Sequence, residues 1–163
     1  MVDMKSALAY SCNCYFAALA DEIGAGKLAK TMRQVGMDAD SRFELETSRN
    51  SIYLAKGATE SELVETAIGQ GRTGVTPLYM AMLASAFAND GMMMKPYIVD
   101  HVVYPDGTET KNTVPEKLTE ICTAEEAAAI RDMMIGVVSG GTGTAAAING
   151  VTVAGKTGTA ENA

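Results

Sequence analysis

From Leu78 to Ala88 the chain reads Leu-Tyr-Met-Ala-Met-Leu-Ala-Ser-Ala-Phe-Ala, apolar on nearly every side of a helical period. Thr76-Pro77 just before it supplies an N-cap residue and a proline at the first helical position. A helix of that composition belongs inside a larger body, because no side of it suits water. The rest of the chain must therefore be laid around it. Of the 163 residues, 47% are hydrophobic, which suffices for the core of one domain or a large piece of one.

The segments available for that cover are short and well punctuated. Residues 4–11 carry a helical pattern that Ser11-Cys12-Asn13 interrupts. A second amphipathic run from Tyr15 to Ile23 stops at Gly24, and a third from Lys27 to Val35 stops at Gly36. Glycine there suits a helix end that needs a positive φ. Residues 37–58 lose periodicity and read as a long polar surface connection, a length that often carries function. Thr59-x-x-Glu62 and Thr123-x-x-Glu126 are capping-box patterns, predicting helices through Ile68 and about Val138. Residues 97–114, β-rich around Pro105-Asp106-Gly107, predict a hairpin, and residues 151–159 a final strand. The fold class is α+β, predominantly helical with a small β-hairpin and one isolated sheet strand.

Thirteen basic against twenty acidic residues leave a net charge of −7 and a pI near 4.7. That balance excludes the electropositive footprint of a nucleic-acid binder and gives no attraction to an anionic membrane surface. No apolar run reaches the roughly 18 residues of a membrane span, and no targeting signal opens the chain. Cys12-x-Cys14 has no histidine or second cysteine pair nearby to complete a zinc site. Cys12, Cys14 and Cys122 therefore read as small buried apolar residues, and most of the eleven methionines as core filler. His101 reads as a surface residue of the hairpin. Neither a metal nor a cofactor is expected.

Two short polar motifs remain. Ser11-Cys12-Asn13 lies between two predicted helices, and Lys156-Thr157-Gly158-Thr159 ends the last predicted strand. Taken singly, the first fits a helix N-cap and the second a solvated lysine with a turn. Any joint role needs the fold to bring residue 11 to residue 156. Gly140-Gly141-Thr142-Gly143-Thr144 has a phosphate-loop look, but no strand leads in and no Lys-Ser/Thr follows, so it reads as a linker.

Ser-x-Asn followed by Lys-Thr-Gly-Thr resembles the penicillin-binding proteins, the acyl-serine transpeptidases that cross-link peptidoglycan, and their serine β-lactamase relatives. The blocks Ala9–Phe16, Ala67–Gly71 with Val75–Leu78 and Ala88–Gly91, and Ala154–Glu161 carry the similarity across residues 1–163. Phe16, three residues after Asn13, points to the class B-type enzymes. The resemblance implies a D-alanyl-D-alanine stem peptide or a β-lactam as partner, attacked by a serine oxygen and held at the extracytoplasmic face of the bacterial membrane. It implies Ser11 as a proton-shuttling hydroxyl, Asn13 as the amide that holds the substrate, and Lys156 as the cation beside Ser11. Thr157 and Thr159 would offer hydroxyls to the substrate carboxylate. Gly158 would admit close approach, and the Thr159 N–H would be half of an oxyanion hole.

The family's nucleophile sits in Ser-x-x-Lys, and no lysine of this chain has serine three residues before it. The sequence thus reads as an internal fragment of a transpeptidase domain, inactive as written, whose last strand could pair with another chain. Three alternatives stay open: a D,D-carboxypeptidase, a serine β-lactamase, and a β-lactam-sensing or inert binding domain. Glu46-x-x-x-Asn50 in the long loop favours the β-lactamase, whereas a solvated loop glutamate is the plain reading.

Overall fold

A computed structural model describes residues 2–54 and 57–159. Among these are six helices, α1 (Met4–Ala9), α2 (Asn13–Ile23), α3 (Ala25–Gln34), α4 (Glu60–Ala67), α5 (Pro77–Ala88) and α6 (Ala124–Gly140). Four short strands, β1 (Met92–Met94), β2 (His101–Val103), β3 (Glu109–Asn112) and β4 (Lys117–Glu120), make two antiparallel pairs. A 3₁₀ turn follows at Thr144–Ala146.

Local chemistry sets the helix ends. Asp3 Oδ1 accepts the Ser6 N–H at 2.7 Å and opens α1. Thr59 and Thr123 close reciprocal capping boxes with Glu62 and Glu126, satisfying amide donors that the first helical turn leaves open. Thr76 Oγ1 accepts the Tyr79 N–H, with Pro77 following at the first helical position. Gly24, at φ +80°, ends α2 and begins α3.

The core comprises two clusters and a further set of buried residues. Ala20 of α2, Ala29 of α3 and Leu63 of α4 bury together with Leu54. Tyr79, Met82 and Ala86 of α5 bury against Met93 of β1, with Leu118 and Ile121 beside them. Ala7 and Ala9 of α1 are buried, as are Ala127, Val137 and Val138 of the adjoining α6.

Several sequence expectations need correction. Helix α5 is covered on one side only: Met80 is 48% exposed, with Ala81 and Ala84 outward beside it, because α6 and β1 both reach its opposite side. The hairpin is nested rather than single. The inner pair β2–β3 matches His101 to Asn112 around the Asp106-Gly107 turn, and an outer pair matches Met92 to Glu120. Residues 151–159 form no ladder; Val151 makes one bridge to Ile148, since no strand among the described residues runs alongside. Cys14 is exposed on the first turn of α2, although Cys12 and Cys122 are half-buried. Among the described residues no helix is long and apolar enough to cross a membrane.

Burial gives one residue a measurable signature. Tyr79 is 5% exposed, its hydroxyl donates to the Val35 carbonyl at 3.1 Å, and desolvation pushes its pKa from 10.0 to about 12. A phenol whose folded pKa is raised contributes stability that is whole below its unfolded pKa and lost as pH rises through the folded one. Unfolding free energy is therefore expected to fall between pH 10 and about 12, and Tyr79→Phe to flatten that slope. Urea titrations across this range check it.

Candidate active site

Helix α1 ends in a turn that the sequence does not advertise. Tyr10 is its C-cap and Ser11 follows at φ +54°, a position that usually takes glycine. The Cys12 N–H donates to the Ala7 carbonyl at 2.9 Å and the Ser11 N–H to the Leu8 carbonyl at 3.3 Å. These two bonds make a Schellman motif with serine in the left-handed seat, which costs an L-residue about 1–2 kcal/mol. The fold accepts that strain and keeps a hydroxyl there. Neither Ser11 nor Asn13 is an N-cap. That position belongs to Cys12, which makes no side-chain cap bond, and Asn13 opens α2 with its side chain exposed.

Lys156, 145 residues further on, reaches this turn. Its Nζ donates to Ser11 Oγ at 2.9 Å and to the Thr157 carbonyl at 2.9 Å. Partial burial lowers the Lys156 pKa from 10.5, because desolvation disfavours the charged ammonium. The ammonium therefore stands against the one strained hydroxyl of α1's end.

The segment carrying Lys156 is held at several points. The Gly155 N–H donates to the Met134 carbonyl of α6 at 3.2 Å. Gln70 Nε2, from the Gly69-Gln70-Gly71 turn after α4, donates to the Thr159 carbonyl at 3.0 Å. Thr142 Oγ1 meets Thr157 Oγ1 at 2.7 Å, and the Thr142 N–H donates to the Ala9 carbonyl at 2.9 Å. Gly158 has nothing within 4 Å of where a Cβ would stand. Of the third motif block, Ala160 and Glu161 lie outside the described residues.

Ser11 and Lys156 thus meet directly, Asn13 stands two residues along the same turn, and Thr157 to Thr159 continue from the lysine. Gln70 and Thr142 touch the same segment and were not among the residues that sequence reasoning singled out for the site. Their signal was present as glycine-flanked polar residues between helices, a pattern also common in plain linkers.

Glu46 is placed elsewhere. It lines a cavity of about 380 Å³ with Asp40, Arg49, Tyr79, Met82 and Met93, and neither Ser11 nor Lys156 borders that cavity. Asn50 ties the long loop to α5, its amide donating to the Met37 carbonyl and its oxygen accepting the Thr76 N–H at the helix head. His101 is exposed beside Asp100 on β2.

Comparison with known proteins bears on this arrangement. A family model described as the penicillin binding protein transpeptidase domain matches residues 1–163. The chain is 35% identical over 168 residues to the peptidoglycan D,D-transpeptidase PbpA of Mycolicibacterium smegmatis, covering 99% of this chain and 32% of that protein. It therefore spans about a third of that relative's length. The crystal structure of the D,D-transpeptidase domain of a peptidoglycan glycosyltransferase from Eggerthella lenta superposes with a TM-score of 0.91 at 36% identity, over 99% of this chain and 42% of the other. The imipenem acyl-enzyme complex of penicillin-binding protein A from Mycobacterium tuberculosis superposes with a TM-score of 0.90 at 31% identity, over 99% and 37%.

Proposed function

Because this chain belongs to the penicillin-binding protein transpeptidase domain family, we propose that residues 1–163 are part of a D,D-transpeptidase domain. That domain cross-links peptidoglycan stem peptides through an acyl-serine intermediate, and β-lactams acylate it. The relatives named as peptidoglycan D,D-transpeptidases and the imipenem acyl-enzyme neighbour support the reading. The observation that carries it is the 2.9 Å bond from Lys156 Nζ to Ser11 Oγ. The uncovered outer side of α5 agrees with a larger body, in which elements beyond these residues pack on Met80.

The roles follow from the groups present. The nucleophilic serine, in a Ser-x-x-Lys that these residues do not contain, gives up its proton to a base as its oxygen attacks the D-alanyl carbonyl. The C–N bond then breaks, and the leaving amine takes a proton through the Ser11 hydroxyl. Lys156 keeps a positive charge beside Ser11 and draws in the substrate's terminal carboxylate. Asn13 presents both an amide donor and an acceptor to the peptide substrate. Thr157 and Thr159 offer hydroxyls to the carboxylate, and the Thr159 N–H is one oxyanion donor. Gly158 leaves room for the ligand beside the segment. No cofactor or metal takes part. The domain works outside the cytoplasmic membrane, where its polymer is. Residues 151–159, which no neighbouring strand among the described residues pairs in a ladder, are where the isolated chain would pair with a second copy.

The test uses the domain together with its Ser-x-x-Lys. Lys156→Ala is expected to slow acylation by a fluorescent penicillin at least about tenfold. The acylation rate should also fall on the alkaline side at a pH below 10.5, since the cation is lost as pH rises through a lowered pKa. Stopped-flow acylation rates against pH check both, and rates unchanged in Lys156→Ala would remove Lys156 from the cleft.

A further inference from the structure

The Gly141-Thr142-Gly143 stretch is more than a passage from α6 to the last segment. Gly141 and Gly143 both donate their N–H groups to the Val137 carbonyl, at 3.1 and 2.9 Å. Between them the Thr142 N–H donates to the Ala9 carbonyl, two residues before Ser11. Three consecutive amides are therefore tied down, two to the end of α6 and one to the end of α1. The Thr142 hydroxyl projects from this fixed platform to Thr157 Oγ1 at 2.7 Å. One residue is thereby fastened by its backbone to the Ser11 turn and by its side chain to the Lys156 segment.

We propose that Thr142 is a positioning residue for carboxylate recognition, acting through Thr157. This rests on the proposed transpeptidase function, in which Thr157 meets the substrate carboxylate. A threonine hydroxyl holds one proton and two lone pairs. In the Thr142–Thr157 pair either oxygen can donate. When Thr142 donates, the Thr157 proton is free to turn into the cleft and donate to an anion. When Thr157 donates instead, it shows only lone pairs there, which repel a carboxylate. An arriving carboxylate selects the first arrangement, and a chain of two hydroxyls that ends on an anion strengthens each of its bonds. Because the platform is held to α1 as well, the anion-facing donor sits in fixed register with Ser11.

The same hydroxyl contact could serve the fold alone, so the experiment must read recognition rather than stability. The domain with its Ser-x-x-Lys is acylated by a penicillin and by the methyl ester of that penicillin, and the ratio of the two rates is measured. Thr142→Val keeps the shape but sets a methyl group against the Thr157 oxygen; Thr142→Ala removes both methyl and hydroxyl; Thr142→Ser keeps the hydroxyl. The preference for the carboxylate form is expected to fall about tenfold in the Val and Ala variants and to survive within about twofold in Ser. Thermal melts identify which variants are folded, and the Ala variant carries the test if Val is not. Wild-type acylation with an unchanged ratio in both Val and Ala would overturn the role of Thr142 while leaving the proposed function standing. Absence of acylation in the wild-type domain by either compound would overturn the proposed function and this inference with it.

Discussion

A fluorescent penicillin is expected to leave the 163-residue chain unlabelled, and the same chain extended to include Ser-x-x-Lys to be labelled stoichiometrically. Covalent capture needs a serine whose proton is taken by a neighbouring base. Ser11 is the residue that could be mistaken for that nucleophile, since Lys156 stands 2.9 Å from its oxygen. In its ammonium form Lys156 is not that base. Lys156 Nζ also donates to the Thr157 carbonyl, a contact that an ammonium makes as a donor. An ammonium has no lone pair with which to take the Ser11 proton. Desolvation does lower the Lys156 pKa, so the sharper version of the test is run towards alkaline pH. Labelling that stays absent as Lys156 loses its proton leaves Ser11 as a shuttle. Labelling that appears there, or stoichiometric labelling at neutral pH, would make Ser11 a nucleophile and refute the reading. Gel fluorescence with mass spectrometry of the acylated peptide decides it.

What could be seen in the sequence divides by the range of the interaction. The capping boxes at Thr59 and Thr123 and the Thr76-Pro77 start were legible because both partners lie within four residues. The Asp106-Gly107 turn was legible for the same reason. The outer pair β1–β4 was not, since Met92-Met93-Met94 has no β-branched residue and its pairing is made by residues 117–120. Residues 151–159 show the opposite error. Alternating valines suggested a strand, but a strand is a relation between neighbours, and none stands beside it among the described residues.

The site divides in the same way. The motif resemblance placed Ser11 and Lys156 in one cleft, and the structure brings their side chains together. Sequence could not show that Ser11 takes a positive φ, because glycine is the residue that signals such a seat. Nor could it show what closes the gap between them. That closure belongs to the end of α6, where Thr142 and Gly141 touch α1. Gly141 and Thr142 looked like a linker because their partners on α1 are more than a hundred residues away in the chain.

Gly141→Ala tests that closure most severely. The φ of Gly141 is −104°, outside the left-handed region that favours glycine, and contact alone is enough to demand glycine there. A Cβ at this position would stand 2.2 Å from the Ala9 carbonyl oxygen and 2.9 Å from that of Val137. Both are backbone atoms of helices, and neither can swing aside as a flexible side chain could. The methyl group must therefore push α1 away from α6, parting the Thr142 bond to Ala9 and shifting the Ser11 turn. Destabilisation of at least about 3 kcal/mol is expected, lowering the melting temperature by more than about 6 °C. Gly158→Ala is the matched control. Its Cβ meets nothing within 4 Å and its φ is not positive, so its stability should stay within about 1 kcal/mol of wild type, with any change towards greater stability. Parallel thermal and urea unfolding of the two variants reads the difference. Equal melting temperatures would mean that α1 and α6 are not in the contact seen here, and the path joining Ser11 to Lys156 would have to run through other residues.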